Sequence, residues 1–380
     1  MEMGTNRNGP VKFLVVCDYP PSLLDQLFQT LVQSGLGEYI LLRKLVKSRV
    51  HYPSTEVVNL PLIMASTLNE GEPLRLSSWL WIISYLVTGI IVGVVLVLRR
   101  RVDAILGVFA IPQGLVAAIV ASLTGRKFVI LTDGADVDVT MHKPVVRSIA
   151  LWQLGKAFAV TAENNRKSAQ LHSIGVKRRI IRIMTHAIDT SHFAPLAKKE
   201  KRTILFVGRL VSEKCPLVLV EALRILRERG IFVKLVMVGD GPLRTQIEKT
   251  AASLGLNELL TLKGYVPYGE VQEFYKKSAI FVLPSRREGV SSSLLEAMAC
   301  ECVCIASDIG DNLEVVRHMF NGLIFRLDDA EDLADQICAA VSLPDCELAK
   351  LTSNARQTVE GTYSVQVVGK ALREILSELA

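Results

Sequence analysis

Short apolar runs of strand length recur along this chain, each followed by a stretch with helical spacing, and this rhythm constrains the fold most. In the first half the runs are KFLVVCDY, EVVNLPLI, DAILGVFA, KFVILTD and AFAVTAE. In the second they are TILFVGRL, VKLVMVGDG, LTLKGYV, AIFVLPS, CVCIASD and GLIFRL, with helical patterns such as PLVLVEALRILRERG and GEVQEFYKKS between them. Strands alternating with helices build βα units and parallel sheets. Half of the residues are hydrophobic but only 6% are aromatic. The apolar mass is therefore mostly Leu, Val, Ile and Ala, which suits strands buried on both faces. A chain of 380 residues at roughly 100–200 per domain predicts two domains. The charged joint APLAKKEKR (194–202) separates the halves. The fold class expected is α/β, with two facing Rossmann-like domains, parallel sheets, and an interdomain cleft at the strand C-terminal ends.

One segment tests that reading. Trp79–Leu98 carries no charge and is followed at once by Arg99, Arg100 and Arg101. About 20 apolar residues suffice to cross a bilayer, and flanking arginines resemble a cytoplasmic anchor. A spanning helix, however, would leave KFLVVC and DAILGVF on opposite sides, where they could not share a sheet. The segment is therefore read as a helix covering the first sheet. A core helix has a polar outer stripe, and this one offers only Ser84, Thr88 and glycines. The expectation is peripheral (monotopic) membrane contact through 79–101, with burial against a partner subunit as the rival. Arg99–Arg101 and Lys177–Arg179 would attract anionic lipid.

The net charge of +6 admits an anionic membrane or substrate. The basic clusters lack interleaved aromatics and the chain has no nucleic-acid module, so nucleic acid is not expected as a partner. Seven cysteines without paired spacing fit a reducing compartment. Cys302 and Cys304 fall on the apolar run CVCIAS and read as core residues rather than metal ligands. The polar start MEMGTNRNGP is not a signal peptide. The expected location is cytoplasmic, at the cytoplasmic face of a membrane. The last helix, SVQVVGKALREILSELA, is amphipathic, with Val368, Leu372, Ile375 and Leu376 at helical spacing.

Three motifs carry chemistry. In ILFVGRLVSEKCPLVLVEAL a buried strand ends at Gly208, a loop carries Arg209 and Lys214, and Pro216 opens a helix. Two cations beside a helix N-terminus suit a diphosphate, although two ordinary surface cations would look the same. In VMVGDGPLR, Gly239 and Gly241 form a tight βα turn, but the third glycine of a dinucleotide fingerprint is missing. In PSRREGVSSSLLEAMAC, Glu288 lies in a loop and Glu296 one turn into a helix that begins around Ser291–Ser293. Amides there suit a phosphate, Glu288 suits sugar hydroxyls and Glu296 the two hydroxyls of a ribose. Ser293 and Glu296 also have the spacing of a capping box.

Taken together, VGRLVSEK, VGDGPLR, KGYVP, FVLPSRREGVSSSLLEAMAC and NGLIF resemble the family 4 retaining glycosyltransferases (glycosyl transferases group 1), which have the GT-B fold. The resemblance covers roughly Ile204–Phe325. It implies a first domain of 1–197, a donor-binding domain of 198–362, and a C-terminal helix, 363–380, that returns to the first. It implies transfer of a hexose-type sugar from a nucleotide diphosphate sugar, with retention and with no metal or other cofactor required. Arg209 and Lys214 would hold the diphosphate beside Gly208 and Gly239. Glu288 would contact the donor sugar, while Gly289, Val290, Ser291 and Ser292 would present amides to phosphate. Glu296 would bind the ribose, and Tyr265-Val266 would lie near the base. Membrane contact points to a sugar or lipid-linked acceptor.

The first half resembles the family more loosely. YPP (19–21) is similar to its first loop, without the glycine pair that follows. LTDGADV places Asp133 where the family has a histidine at the reaction centre, and Asp133 is assigned that place beside the sugar. Asp136-Val-Asp138 reads as a chance D-x-D. MTHAIDTSHF has His186-Ala187 for Asn-Gly, and Glu301 stands for a usual glycine. These departures motivate two other readings, a catalytically impaired GT-B partner subunit that binds nucleotide sugar and a nucleotide-sugar epimerase.

Overall fold

Parallel strands need crossover connections, and among the described residues these are mostly helices. A computed structural model describes residues 11–17, 27, 30–31, 38–44, 55–60, 76–108, 110–132, 144–182, 187–196 and 199–379. The chain divides into two units. One comprises Met1–His186 with Val368–Ala380, and the other Ala187–Val367. Asp133, Asp136, Asp138, Tyr19–Pro21 and His186 lie outside the described residues.

The first unit runs β1 (Lys12–Val16), β2 (Glu38–Lys44), β3 (Thr55–Leu60), α1 (Leu76–Arg100), β4 (Ala104–Val108), α2 (Leu115–Thr124), β5 (Lys127–Leu131), α3 (Pro144–Lys156), β6 (Ala159–Ala162), α4 (Asn165–Ser173) and β7 (Arg179–Arg182). Its described strands form one parallel sheet ordered β3-β2-β1-β4-β5-β6-β7. Leu14, Val16, Ile105, Ile130 and Val160 lie wholly buried in its core. The sequence reading finds five of these strands and misses β2 and β7. The run EYILLRK mixes strand and helix spacing, and RIIR is short and enclosed by basic residues.

The apolar segment is α1. Tyr85, Gly89, Gly93 and Val97 form its buried stripe, pressed onto α2 so closely that a Cβ on Gly93 would stand 2.8 Å from Val120. Ile83, Val87, Ile91, Val95 and Leu98 form the opposite stripe and are exposed. The C-terminal helix Val365–Ser377 buries Val368, Leu372, Ile375 and Leu376, as its spacing predicts. Lys127 Nζ donates to the Glu378 carbonyl at 3.0 Å, and Arg179 pairs with the Glu378 carboxylate.

The second unit runs β8 (Glu200–Val207), α5 (Pro216–Glu228), β9 (Lys234–Val238), α6 (Arg244–Ser253), β10 (Leu260–Gly264), α7 (Tyr268–Lys277), β11 (Ser278–Leu283), α8 (Ser292–Ala299), β12 (Val303–Ser307), α9 (Gly310–Val315), β13 (Leu323–Phe325), α10 (Ala330–Ser342) and α11 (Asp345–Thr362). Its parallel sheet is ordered β10-β9-β8-β11-β12-β13, and all six strands are those read from the sequence. The unit begins before the charged joint because Ile188 N–H donates to the Tyr363 carbonyl at 2.8 Å. Arg356 also donates to the carbonyls of Thr190 and Phe193. Asp189 accepts from Ser191 N and Oγ and from His192 N, which folds that turn.

Cys302 and Cys304 are fully buried, the latter inside β12. The Cys302 thiol faces the carbonyls of Tyr275 and Ser278, and Lys199 Nζ lies 3.3 Å from its sulfur. Burial pushes this thiol up from its ordinary range despite the lysine. Both cysteines are core residues.

Glu301 follows α8 with φ 58°, the left-handed conformation in which a side chain costs free energy and glycine does not. Glu301→Gly is expected to stabilise the second unit by about 0.5–1 kcal/mol, read by calorimetry and by slower hydrogen exchange at the end of α8. An unchanged or lower transition temperature contradicts that account.

Candidate functional site

The strand order reverses between β8 and β11, so the loops leaving their C-terminal ends diverge into different crossovers. Such a switch point opens a crevice for ligands. The loop after β8 carries Gly208 and exposed Arg209, then a 3₁₀ turn, Ser212–Lys214. Cys215 adopts φ 46° and ψ 44°, and Pro216 opens α5. Burial pushes the Cys215 thiol up to about 11, so it is neutral at physiological pH and no nucleophile.

The second motif supports this loop. Gly208 N donates to the Val238 carbonyl at 3.0 Å, and Leu210 N to the Asp240 carbonyl at 2.9 Å. A Cβ on Gly239 (φ 131°) would stand 2.0 Å from the Gly208 carbonyl oxygen, and one on Gly241 (φ 158°) 2.5 Å from that of Leu210. Gly239 and Gly241 are therefore required by backbone lying on backbone.

The third loop follows β11. Arg286 N donates to the Glu213 carbonyl at 2.8 Å, which ties it to the first. Lys214 Nζ lies 2.5 Å from Glu288 Oε1. Ser285 Oγ donates to that same oxygen at 2.5 Å. The lysine side chain is 22% exposed and the glutamate 9%, so water screens this pair far less than a surface pair. Ser285 is itself fully buried. Its carbonyl accepts from Ser307 Oγ at 2.6 Å, and Asn312 Nδ2 reaches the Ser307 carbonyl and hydroxyl, both at 3.1 Å. Arg286 makes a two-pronged bond to Asp328, at 2.9 and 3.0 Å. The carboxyl of exposed Glu213 sits below its ordinary range, held first by its own amide and then by Ser212.

The helix α8 begins at Ser292 with Ser291 as its cap residue, and no side chain caps it. Ser293 is thus inside the helix, and the capping box with Glu296 does not form. Glu296 is 4% exposed. Burial first, and the Glu296 carboxylate second, hold the fully buried Tyr275 phenol well above its usual range. Gly289 is half-buried and Val290 buried. Tyr265 is 80% exposed and Val266 half-buried, at the end of β10. The structure thus joins Lys214 to Glu288 directly. Sequence reading assigned no part to Ser285, Ser307 or Asn312. Only Ser285, second after the strand and three residues before Glu288, had a signal, since the others lie more than 20 residues on and meet it through the sheet.

The family model of glycosyl transferases group 1 matches residues 187–358, nearly the whole second unit. This unit is a group 1 glycosyltransferase domain. Over 221 residues the chain is 28% identical to the putative colanic acid biosynthesis glycosyltransferase WcaL of Escherichia coli, covering 56% of this chain and 54% of WcaL. The chain therefore spans about half the length of that relative. It is 26% identical over 273 residues to the E. coli UDP-Gal:alpha-D-GlcNAc-diphosphoundecaprenol alpha-1,3-galactosyltransferase, covering 66% of this chain and 69% of that one. The crystal structure of Anabaena HepE in complex with UDP matches 97% of this chain and 100% of its own, with a TM-score of 0.73 at 17% identity. That likeness shows the GT-B fold.

Gly208 differs from its partners across the clasp. A Cβ there would meet only the Phe206 ring, at 3.4 Å. Gly239→Ala is expected to destabilise the second unit by more than about 2 kcal/mol, while Gly208→Ala keeps a near-native melting temperature. Equal melting temperatures for the two variants count against the clasp.

Proposed function

We propose that the protein is a retaining glycosyltransferase that moves a hexose-type sugar from a nucleotide diphosphate sugar to an acceptor at a membrane surface. The observation that carries this reading is the Lys214–Glu288 pair, held on adjoining loops at the strand-order reversal of a group 1 domain. The complex of HepE with UDP supports a nucleotide donor.

In this reading Arg209 and Lys214 take the diphosphate, with amides of Gly289–Ser292 at the start of α8. Gly208 and Gly239 keep the floor of the site free of side chains. Glu288 accepts from donor sugar hydroxyls and Glu296 from the ribose, while Tyr265 and Val266 border the base. Asp133 is assigned to the sugar as well. The acceptor oxygen attacks the anomeric carbon on the face from which the phosphate oxygen departs. That oxygen takes the acceptor proton as the bond to the sugar breaks. The cations and helix amides stabilise its developing charge.

The outer stripe of α1 supports a membrane-surface acceptor. Ile83, Val87, Ile91 and Leu98 are each more than half exposed, and Arg99–Arg101 follow in the open. Leu123 of α2, which packs on α1, and Trp152 of α3, which packs on α2, are exposed as well, the latter with Lys156 over its ring. The galactosyltransferase relative is named for a diphosphoundecaprenol-linked acceptor. Lying in the interface buries this stripe without spanning, so β1 and β4 stay in one sheet.

Two measurements test the reading. Thermal stabilisation across nucleotide sugars and free nucleotides should show one responding base, followed by transfer of labelled sugar to lipid acceptors. Glu288→Gln is then expected to lower turnover about 10²–10³-fold without loss of nucleotide binding. Unchanged turnover removes its role, and no stabilisation by any nucleotide refutes the donor site. Separately, the chain should sediment with phosphatidylglycerol vesicles. The double variant Val87→Glu, Ile91→Glu should bind them about tenfold or more weakly while keeping its circular dichroism. Equal sedimentation of variant and wild type excludes this face.

A further inference from the structure

Lys214 has a partner within the protein itself. Its ammonium and the Ser285 hydroxyl converge on one oxygen, Glu288 Oε1, each at 2.5 Å. Ser285 does not move freely. It is wholly buried, and its carbonyl is held by Ser307, whose own carbonyl and hydroxyl are held by Asn312. Glu288 thus has two partners of different kinds. One is a flexible cation on a 3₁₀ turn, the other a hydroxyl fixed by a buried chain of hydrogen bonds. Resting on the function proposed above, we propose that Glu288 and the donor diphosphate compete for Lys214. Ser285 is the positioning residue that keeps Glu288 in place when the lysine transfers to phosphate.

Charge-assisted bonds exceed neutral ones in strength, so the diphosphate must draw Lys214 from a carboxylate that is nearly buried. The buried hydroxyl keeps that carboxylate satisfied after the transfer. A buried carboxylate left without partners is costly. Ser285 therefore lowers the cost of releasing Lys214. The exchange ties sugar recognition to phosphate recognition. The carboxylate oxygen meant for sugar hydroxyls is freed of its cation only when a diphosphate is present.

This arrangement makes removal of the carboxylate and removal of its hydroxyl partner act in opposite directions. Glu288→Gln removes the competitor and should tighten nucleoside diphosphate binding about fivefold or more. Ser285→Ala leaves Glu288 with Lys214 as its main partner and should weaken binding about three- to fivefold. Ser285→Thr, which keeps a hydroxyl, should restore wild-type affinity.

The experiment is calorimetric titration of the full chain and these variants with UDP, GDP and ADP, and with the matching nucleosides as controls. Nucleoside affinity should not change. In a Lys214→Met background Glu288→Gln should lose its gain. In a Glu288→Gln background Ser285→Ala should have no effect. Weaker or equal diphosphate binding by Glu288→Gln overturns the competition. A gain that persists without Lys214 overturns it too, because it marks general repulsion between carboxylate and phosphate. Ser285→Ala without effect in the wild-type background removes the positioning role. Wild-type protein that binds none of the three diphosphates refutes the donor site itself, which separates that failure from this one.

Discussion

A parallel strand buried on both faces leaves its polar functional groups one place to go, the loop beyond its C-terminal end. Everything else in the second unit depends on this constraint. β8 and β11 are neighbours in the sheet although more than 70 residues separate them in sequence. Their loops meet there, and the meeting brings a lysine from one against a glutamate from the other. The remaining structure serves to keep those loops in register. Two glycines let the loop after β9 support the first from below, and a backbone bond from Arg286 to Glu213 ties in the third.

The three motifs have different physical standing. VGRL with its lysine, and the Glu288 loop, present charge. VGDG contributes backbone packing, and its one charge, Asp240, is exposed and faces Arg244 rather than the other two loops. Its two glycines are fixed by carbonyl oxygens within 2.0 and 2.5 Å of where a Cβ would stand. A capping box at Ser293–Glu296 also had the right spacing. The helix starts two residues too early for it, and Glu296, nearly buried, lies beside Tyr275.

The first unit poses a packing problem with an unusual answer. α1 must cover a sheet, and the glycines of its inner stripe let α2 approach closely. Its outer stripe is as apolar as its inner one. Charge could not separate these two faces, because neither the inner stripe (Tyr85, Gly89, Gly93, Val97) nor the outer one (Ile83, Val87, Ile91, Val95, Leu98) carries any. Only the position of α2 and the sheet decides which stripe is exposed. The first strands show the same limit. β2 escaped detection because EYILLRK mixes strand and helix spacing, and β7 because RIIR is short and enclosed by basic residues; the strands beside them in the sheet make them strands.

The sequence by itself determined the βα rhythm, the parallel class, all six strands of the second unit, the amphipathic C-terminal helix and the group 1 motifs. These are local patterns of spacing and residue type, and burial of apolar surface enforces them wherever the chain goes. Tertiary structure alone decided that Lys214 and Ser285 share one oxygen of Glu288, and that Ser307 and Asn312 stand behind them. It also decided which stripe of α1 stays uncovered. Each of these rests on residues brought together by strand order rather than by spacing, because hydrogen bonds and ion pairs reach only about 3 Å and a linear sequence carries no record of such distances.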